Sequence, residues 1–194
     1  EFNVIFVKNI APFRTRKVRI LNGAHTCLVP VAYLKGIRLV KDAMENETTS
    51  NYLQKVIFEE IIPAMDQPAE NLIPFAEDVL DRFRNPFIKH KLSDIALNSI
   101  SKWKVRVLPS LLDFINKKDK IPTGMVQAFA AMIVYYRGHY NGEVTPIKDK
   151  PEIVKYFDQV WKIKTPEVVV ESVLAKVEFW DQDLNLVYGL SEAL

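Results

Sequence analysis

Hydrophobic residues recur along most of this chain at helical spacing. Tyr52, Leu53, Val56, Ile57 and Ile61 fall on one stripe of a helix, since positions i, i+1, i+4, i+5 and i+9 share a face at about 3.6 residues per turn. Thr48, Thr49 and Ser50 are its candidate caps, and Pro63 stands near its end. Leu72, Phe75, Val79, Leu80 and Phe83 make a second stripe, closed by Asn85-Pro86. Ile95 to Ile100 and Val107 to Ile115 predict two more helices, the latter with Pro109 near its start. Pro122 fits the first turn of a helix running to Arg137, whose apolar run from Ala128 to Tyr136 is wide enough to be buried nearly all round. Gly138 to Lys150, with two glycines and a proline, predicts a loop. Pro151 then opens a helix through Ile153, Val154, Phe157, Val160 and Trp161. Thr165-Pro166-Glu167 is a helix start: a capping hydroxyl, proline at the first position, an acid in the first turn. Residues 2–7 differ, being β-branched and aromatic. They predict one strand, after which Pro12 interrupts and the helical period sets in at Arg16. The pattern predicts a mostly α domain with one short N-terminal strand.

Composition narrows the function more than the fold. The chain has 194 residues, 48% of them hydrophobic and 26% charged, which allows one large domain or two small ones. A net charge of +2 gives no field for nucleic acid or a membrane surface. The longest uninterrupted apolar run is nine residues, against the ~20 that span a bilayer. Only six glycines occur, at 23, 36, 124, 138, 142 and 189, and no two are spaced G-x-G. The dinucleotide fingerprint is therefore absent from these residues, and a nucleotide would have to be held elsewhere. The single Cys27 forms no internal disulfide and suits a reducing, cytoplasmic setting. The chain opens on Glu1 without a Met or a signal-peptide pattern, as expected of a fragment or a processed product.

His25, His90 and His139 are scattered and lack ligand spacing, so no metal site is expected. Cys27 reads as a small buried hydrophobe. The informative stretch is Arg16 to Thr26. Wound as an α-helix, it puts Lys17, Asn22 and His25 on one face, with Asn22 and His25 neighbours at i, i+3. An ammonium, an amide and an imidazole beside apolar residues suit carbonyl chemistry. The ammonium exchanges a proton with the oxygen, the amide holds it, and the imidazole bonds a neighbouring hydroxyl. Spacing alone favours a solvated basic helix start over this chemistry. A second cluster, Lys102-Trp103-Lys104-Val105-Arg106, reads as small-anion capture or as exposed cations at a helix junction. Lys117-Lys118-Asp119-Lys120 reads as a solvated loop.

Lys17-x4-Asn22-x2-His25 resembles the signature of the mannitol dehydrogenase family, the polyol-specific long-chain dehydrogenases. The string from Lys17 to Thr26, the block Arg82-Phe83-x-Asn85-Pro86-Phe87 and the segment Ser93 to Phe114 are similar to its sugar-acid branch. The resemblance implies a multi-helical dehydrogenase domain of the 6-phosphogluconate dehydrogenase C-terminal kind. Residues 16–194 would be the substrate-binding and catalytic domain. Residues 1–15 would lead from an N-terminal Rossmann domain that holds NAD. It further implies Lys17 as general acid/base, Asn22 and His25 as substrate-orienting groups, and no metal. One departure stands out. Mannitol-oxidising relatives carry a substrate-binding Arg and, eight residues later, a Lys; counted from Asn85 these positions are Asp94 and Lys102. A rebuilt pocket for a sugar acid is the expectation, with Lys102 and Arg106 meeting its carboxylate. The implied reaction interconverts a keto-uronate (tagaturonate) and an aldonate (altronate). The alternatives are a relative acting on fructuronate, mannitol or mannitol 1-phosphate, or a non-catalytic helical module in which the trio would be splayed.

Overall fold

The computed structural model describes residues 6–163 and 165–194. The strand expected over residues 2–7 lies mostly outside the described residues, and Phe6 and Val7 belong to no regular element. The first rod runs unbroken through α1 (Ala11–Arg16), a π-helical turn (Lys17–Asn22) and α2 (Gly23–Leu34). Pro12 does not interrupt it. The ring sits in the first turn, where its missing N–H costs no hydrogen bond.

After α3 (Val40–Glu45), a second rod joins α4 (Glu47–Lys55), another π-helical turn (Val56–Ile61) and α5 (Ile62–Ala64). Its cap is Asn46, ahead of the hydroxyls that the sequence suggested. The Asn46 side chain accepts from the Thr49 N–H at 3.2 Å, while the Thr49 hydroxyl reaches back to the Ala43 carbonyl. Helix α6 (Ala69–Phe83) buries Leu72, Ala76, Val79, Leu80 and Phe83, much as its stripe predicts. The helix expected across Ile95–Ile100 is instead two, α7 (Leu92–Ile95) and α8 (Ser99–Arg106). Asn98 breaks it by taking the left-handed conformation, φ +54°, which Asn tolerates better than most residues. Helix α9 (Leu108–Lys118) follows.

Helix α10 (Thr123–Tyr135) is buried nearly all round and packs along α2 at the centre of the domain. Pro122 precedes its first turn rather than lying inside it. A stack of rings, Trp103 on Phe129 at 4.4 Å and Phe129 against Trp180 at 5.3 Å, fills the space beneath. Gly124 admits the second rod closely: a Cβ there would stand 2.6 Å from Val56 Cγ2. The buried Glu60 carboxylate takes the N–H groups of Gly124 and Met125 at 2.7 and 2.8 Å, closing the start of α10.

The expected loop after α10 contains a small antiparallel hairpin, β1 (His139–Tyr140) and β2 (Glu143–Val144). Asn141 and Gly142, both at positive φ, form its turn, the two-residue pattern that favours hairpins. The chain finishes with α11 (Pro151–Ile163), α12 (Pro166–Leu174), α13 (Val177–Trp180), a short 3-10 turn (Leu184–Leu186) and α14 (Leu190–Ala193). Thr165 holds the cap position of α12 without bonding its backbone. No helix among the described residues is long and apolar enough to cross a membrane.

Candidate active site

The π-helical turn in the first rod changes how the site residues line up. The Gly23 N–H donates to the Val18 carbonyl, five residues back. In an α-helix at about 100° per residue, Asn22 would stand about 140° around the axis from Lys17. A turn closed by i→i+5 bonds is wound more loosely and brings residues five apart closer together around the axis. His25, three residues on and α-helical, continues on the Asn22 side. By this winding the trio spreads less widely around the rod than α-helical counting puts it.

Lys17 is exposed, and among the described residues its ammonium has no hydrogen bond or ion pair. Its basic neighbours are engaged elsewhere. Arg16 donates to the Asn71 carbonyl at 3.1 Å and lies 4.4 Å over the Phe75 ring. Arg19 pairs with Asp113 at 2.6 Å. Asn22 is half-buried, and its carbonyl accepts the Thr26 hydroxyl at 2.8 Å.

His25 is the most perturbed member. Its ring stacks on Phe83 at 3.8 Å and meets the edge of His90 at 5.3 Å. Its Nε2 is shut off from solvent and has no hydrogen-bond partner among the described residues. Burial, then the nearby charges of His90 and Arg106, push its pKa from the usual 6.5 down to about 3. The imidazole is therefore neutral at working pH, able to donate from one nitrogen and accept at the other. Two of the three scattered histidines are thus brought together by the fold.

The cluster on α8 divides. The Lys102 ammonium donates to the Ile95 carbonyl at 2.8 Å and so closes the end of α7; burial, then Arg106, lowers its pKa. Lys104 pairs with Asp181 at 2.6 Å. Arg106 is half-buried, and among the described residues its guanidinium has no partner. Gly23 explains its closeness to His25. A Cβ at position 23 would stand 3.1 Å from the Arg106 carbonyl, so glycine lets the end of α8 press against the start of α2. Asp94 is exposed in the first turn of α7.

A pocket of about 150 Å³ opens beside His25, and neither Lys17 nor Asn22 is among the residues that line it. Leu21 and His25 form one wall. Arg82 and Phe83, at the end of α6, and Asn85 and His90, in the loop beyond, form the other. The Arg82–Phe87 block thus supplies part of the wall facing the helix of the trio. His90 was not among the candidate site residues in the sequence, because nothing in its local spacing links it to His25. Wider hollows elsewhere, such as one of about 340 Å³ between Tyr33 and the hairpin, contain none of the trio. Cys27 is fully buried, and burial pushes its thiol pKa up, which suits packing rather than nucleophilic use.

The described residues offer no dinucleotide cradle. Gly23 and Gly124 lie buried inside helices, and Gly36, Gly138, Gly142 and Gly189 take positive φ outside them. None stands between a strand and a helix in the phosphate-binding arrangement.

The profile of the mannitol dehydrogenase C-terminal domain matches residues 9–194. An altronate oxidoreductase of Bacteroides thetaiotaomicron is 43% identical over 195 residues, covering 99% of this chain and 40% of that protein. One from Escherichia coli is 44% identical, over 98% of this chain and again 40% of the relative. Among solved structures, Pseudomonas fluorescens mannitol 2-dehydrogenase, in a ternary complex with NAD and D-mannitol, superposes with a TM-score of 0.85 at 22% identity. It is matched over 97% of this chain and 38% of its own. A substrate-free D-sorbitol dehydrogenase gives a TM-score of 0.79 at 23% identity, over 96% of this chain and 38% of its own. These two likenesses speak to the fold, and the chain spans about 40% of the length of the curated relatives it matches. By its sequence profile, its close relatives and its multi-helical fold, the chain belongs to the mannitol dehydrogenase family, as that family's C-terminal domain.

Proposed function

We propose that this chain is the substrate-binding and catalytic domain of an NAD-dependent oxidoreductase that interconverts a keto-uronate, tagaturonate, and an aldonate, altronate. The observation that carries the reading is Lys17, Asn22 and His25 on one helical rod, with His25 in the wall of a pocket, in a chain 43–44% identical to altronate oxidoreductases. Residues 16–194 form that domain, and residues 1–15 lead from a Rossmann domain that holds the cofactor. NAD bound there would supply the hydride, and this chain's residues manage the proton and the substrate's orientation. Lys17 gives its proton to the carbonyl oxygen as that oxygen gains charge, and takes it back in the reverse direction. The Asn22 amide donates to the same oxygen. Neutral His25 bonds a neighbouring hydroxyl without placing a second positive charge next to Lys17. Lys102 and Arg106 are the carboxylate-facing groups. Arg106, with no partner among the described residues, is the better placed to bind, while Lys102 holds the end of α7. The setting is cytoplasmic.

The test is steady-state kinetics on the full-length protein. Lys17→Ala lowers kcat for tagaturonate reduction by about 10²–10⁴-fold, the usual worth of a positioned acid/base; near-normal kcat rejects the assignment. Arg106→Gln raises KM for tagaturonate and leaves the smaller turnover of mannitol or fructose unchanged. Equal loss on acid and neutral substrates refutes the carboxylate role. Preference for fructuronate, mannitol or mannitol 1-phosphate over tagaturonate moves the substrate assignment within the family.

A further inference from the structure

His90 lies outside every motif considered so far, yet its position is tightly specified. Its backbone is clamped: the Val40 N–H donates to the His90 carbonyl at 3.0 Å, and the Leu92 N–H donates to the Arg38 carbonyl at 2.9 Å. Between these bonds Leu39 and Lys91 form an isolated antiparallel bridge. The bridge ties the loop after α6 to the start of α3 and fixes the base of the His90 side chain. From that base the ring meets His25 edge-on, with the two planes 76° apart. The opposite support is Phe83, stacked on His25 at 20°. A flat imidazole held by a face on one side and an edge on another has little freedom about χ2. His90 also lines the pocket that His25 lines.

We propose that His90 is a positioning residue for His25, holding its ring in the pocket wall and keeping water from its buried nitrogen. The inference rests on the reading of His25 as a substrate-orienting group. The other groups around His25 are Phe83 and Arg82 from α6, Asn85 from the loop, Val40 from α3 and Arg106 from the end of α8. Of these, Arg82 and Arg106 carry fixed positive charge. Burial opposes protonation of His25 most, followed by the electrostatic influence of His90 and then of Arg106, and the low His25 pKa agrees with this arrangement. Removing the His90 ring opens one side of His25 to water and releases its orientation. His90→Ala removes both the ring and its electrostatic influence on His25, so His90→Phe, which keeps an aromatic edge without a titratable group, is what separates the lost wall from the lost charge balance.

The experiment uses the full-length protein labelled with [13Cε1]histidine, wild type beside His90→Ala and His90→Phe. NMR follows the His25 resonance from pH 8 to 4.5, assigned by its loss in His25→Gln. In the wild type the resonance stays flat. In His90→Ala it titrates, its midpoint rising by at least two pH units, which brings it into the observed range. His90→Phe keeps an aromatic edge and restores the flat profile. In parallel, kcat/KM for keto-uronate reduction by His90→Ala falls at least threefold further between pH 7.5 and 4.5 than in the wild type, and His90→Phe recovers it. A His25 resonance that stays flat in His90→Ala overturns the proposal. So does a titration that His90→Phe fails to suppress. Should the NMR arm succeed while no variant changes turnover, the positioning stands and the functional reading of His25 falls. The two failures are thereby distinguished.

Discussion

The neutrality of His25 has a thermodynamic signature that needs no substrate. A histidine with a folded pKa of about 3 and an ordinary value of 6.5 binds fewer protons in the folded state than in the unfolded state between those values. The sign follows from linkage: the associated stability is complete above pH 6.5 and is lost as pH falls toward 3. At about 1.36 kcal/mol per pH unit, the loss from this group is about 1.4 kcal/mol at pH 5.5 and about 2.7 kcal/mol at pH 4.5. For a domain of this size that corresponds to a fall in Tm of about 5–10 °C at the lower pH. His25→Gln removes the titrating group and leaves every other one in place, so the difference between the two proteins isolates the contribution. Urea unfolding of the 194-residue chain and of His25→Gln, in steps from pH 7.5 to 4.5, gives the two curves. The wild type should lose about 2–3 kcal/mol more than the variant over that range. Parallel curves would refute the claim that burial holds this imidazole neutral, and with it the role given to His25 beside Lys17.

Further expectations concern the frame that carries the site. Gly124→Ala drives a methyl into Val56 and against the Glu60 carboxylate, and should cost about 1–3 kcal/mol by overpacking, read as a lower urea midpoint with unchanged slope. Glu60→Gln keeps one acceptor for the two N–H groups of Gly124 and Met125 and turns an NH₂ on the other. A loss of about 1–3 kcal/mol is expected, and no change in unfolding would show that the carboxylate does not close α10. Asp158→Asn, by contrast, breaks the exposed pair with Lys162 and should move stability by less than about 0.5 kcal/mol.

Much of this architecture is legible in the order of residues. The stripe from Leu72 to Phe83, the all-round apolar character of α10 and the proline-marked starts of α9, α11 and α12 follow from helical period and local stereochemistry. Those signals are local, and each helix satisfies its own backbone. Boundaries that depend on a competing local choice were harder to read. Asn98 could continue a helix or turn left-handed, and the contacts of α8 decide it. Asn46 competed with three hydroxyls for one cap. The Asn141-Gly142 hairpin was readable from its turn residues but was hidden inside a segment rich in loop formers.

For the site, the sequence by itself determined which groups lie near one another along one helix: Lys17, Asn22 and His25, with the residue types that carbonyl chemistry requires. It also determined that no phosphate cradle accompanies them, because six widely spaced glycines cannot build one. Only the tertiary structure decided how the trio aligns, since a π-helical turn adds a residue that α-helical counting does not include. Only packing separated Lys102, tied to the Ile95 carbonyl, from Arg106, which reaches the neighbourhood of His25 because Gly23 has no side chain. And only the bridge between the segments around Leu39 and Lys91 brought His90 to the edge of His25. Local spacing encodes a helix face; the burial that makes an imidazole neutral is a property of what folds over that face.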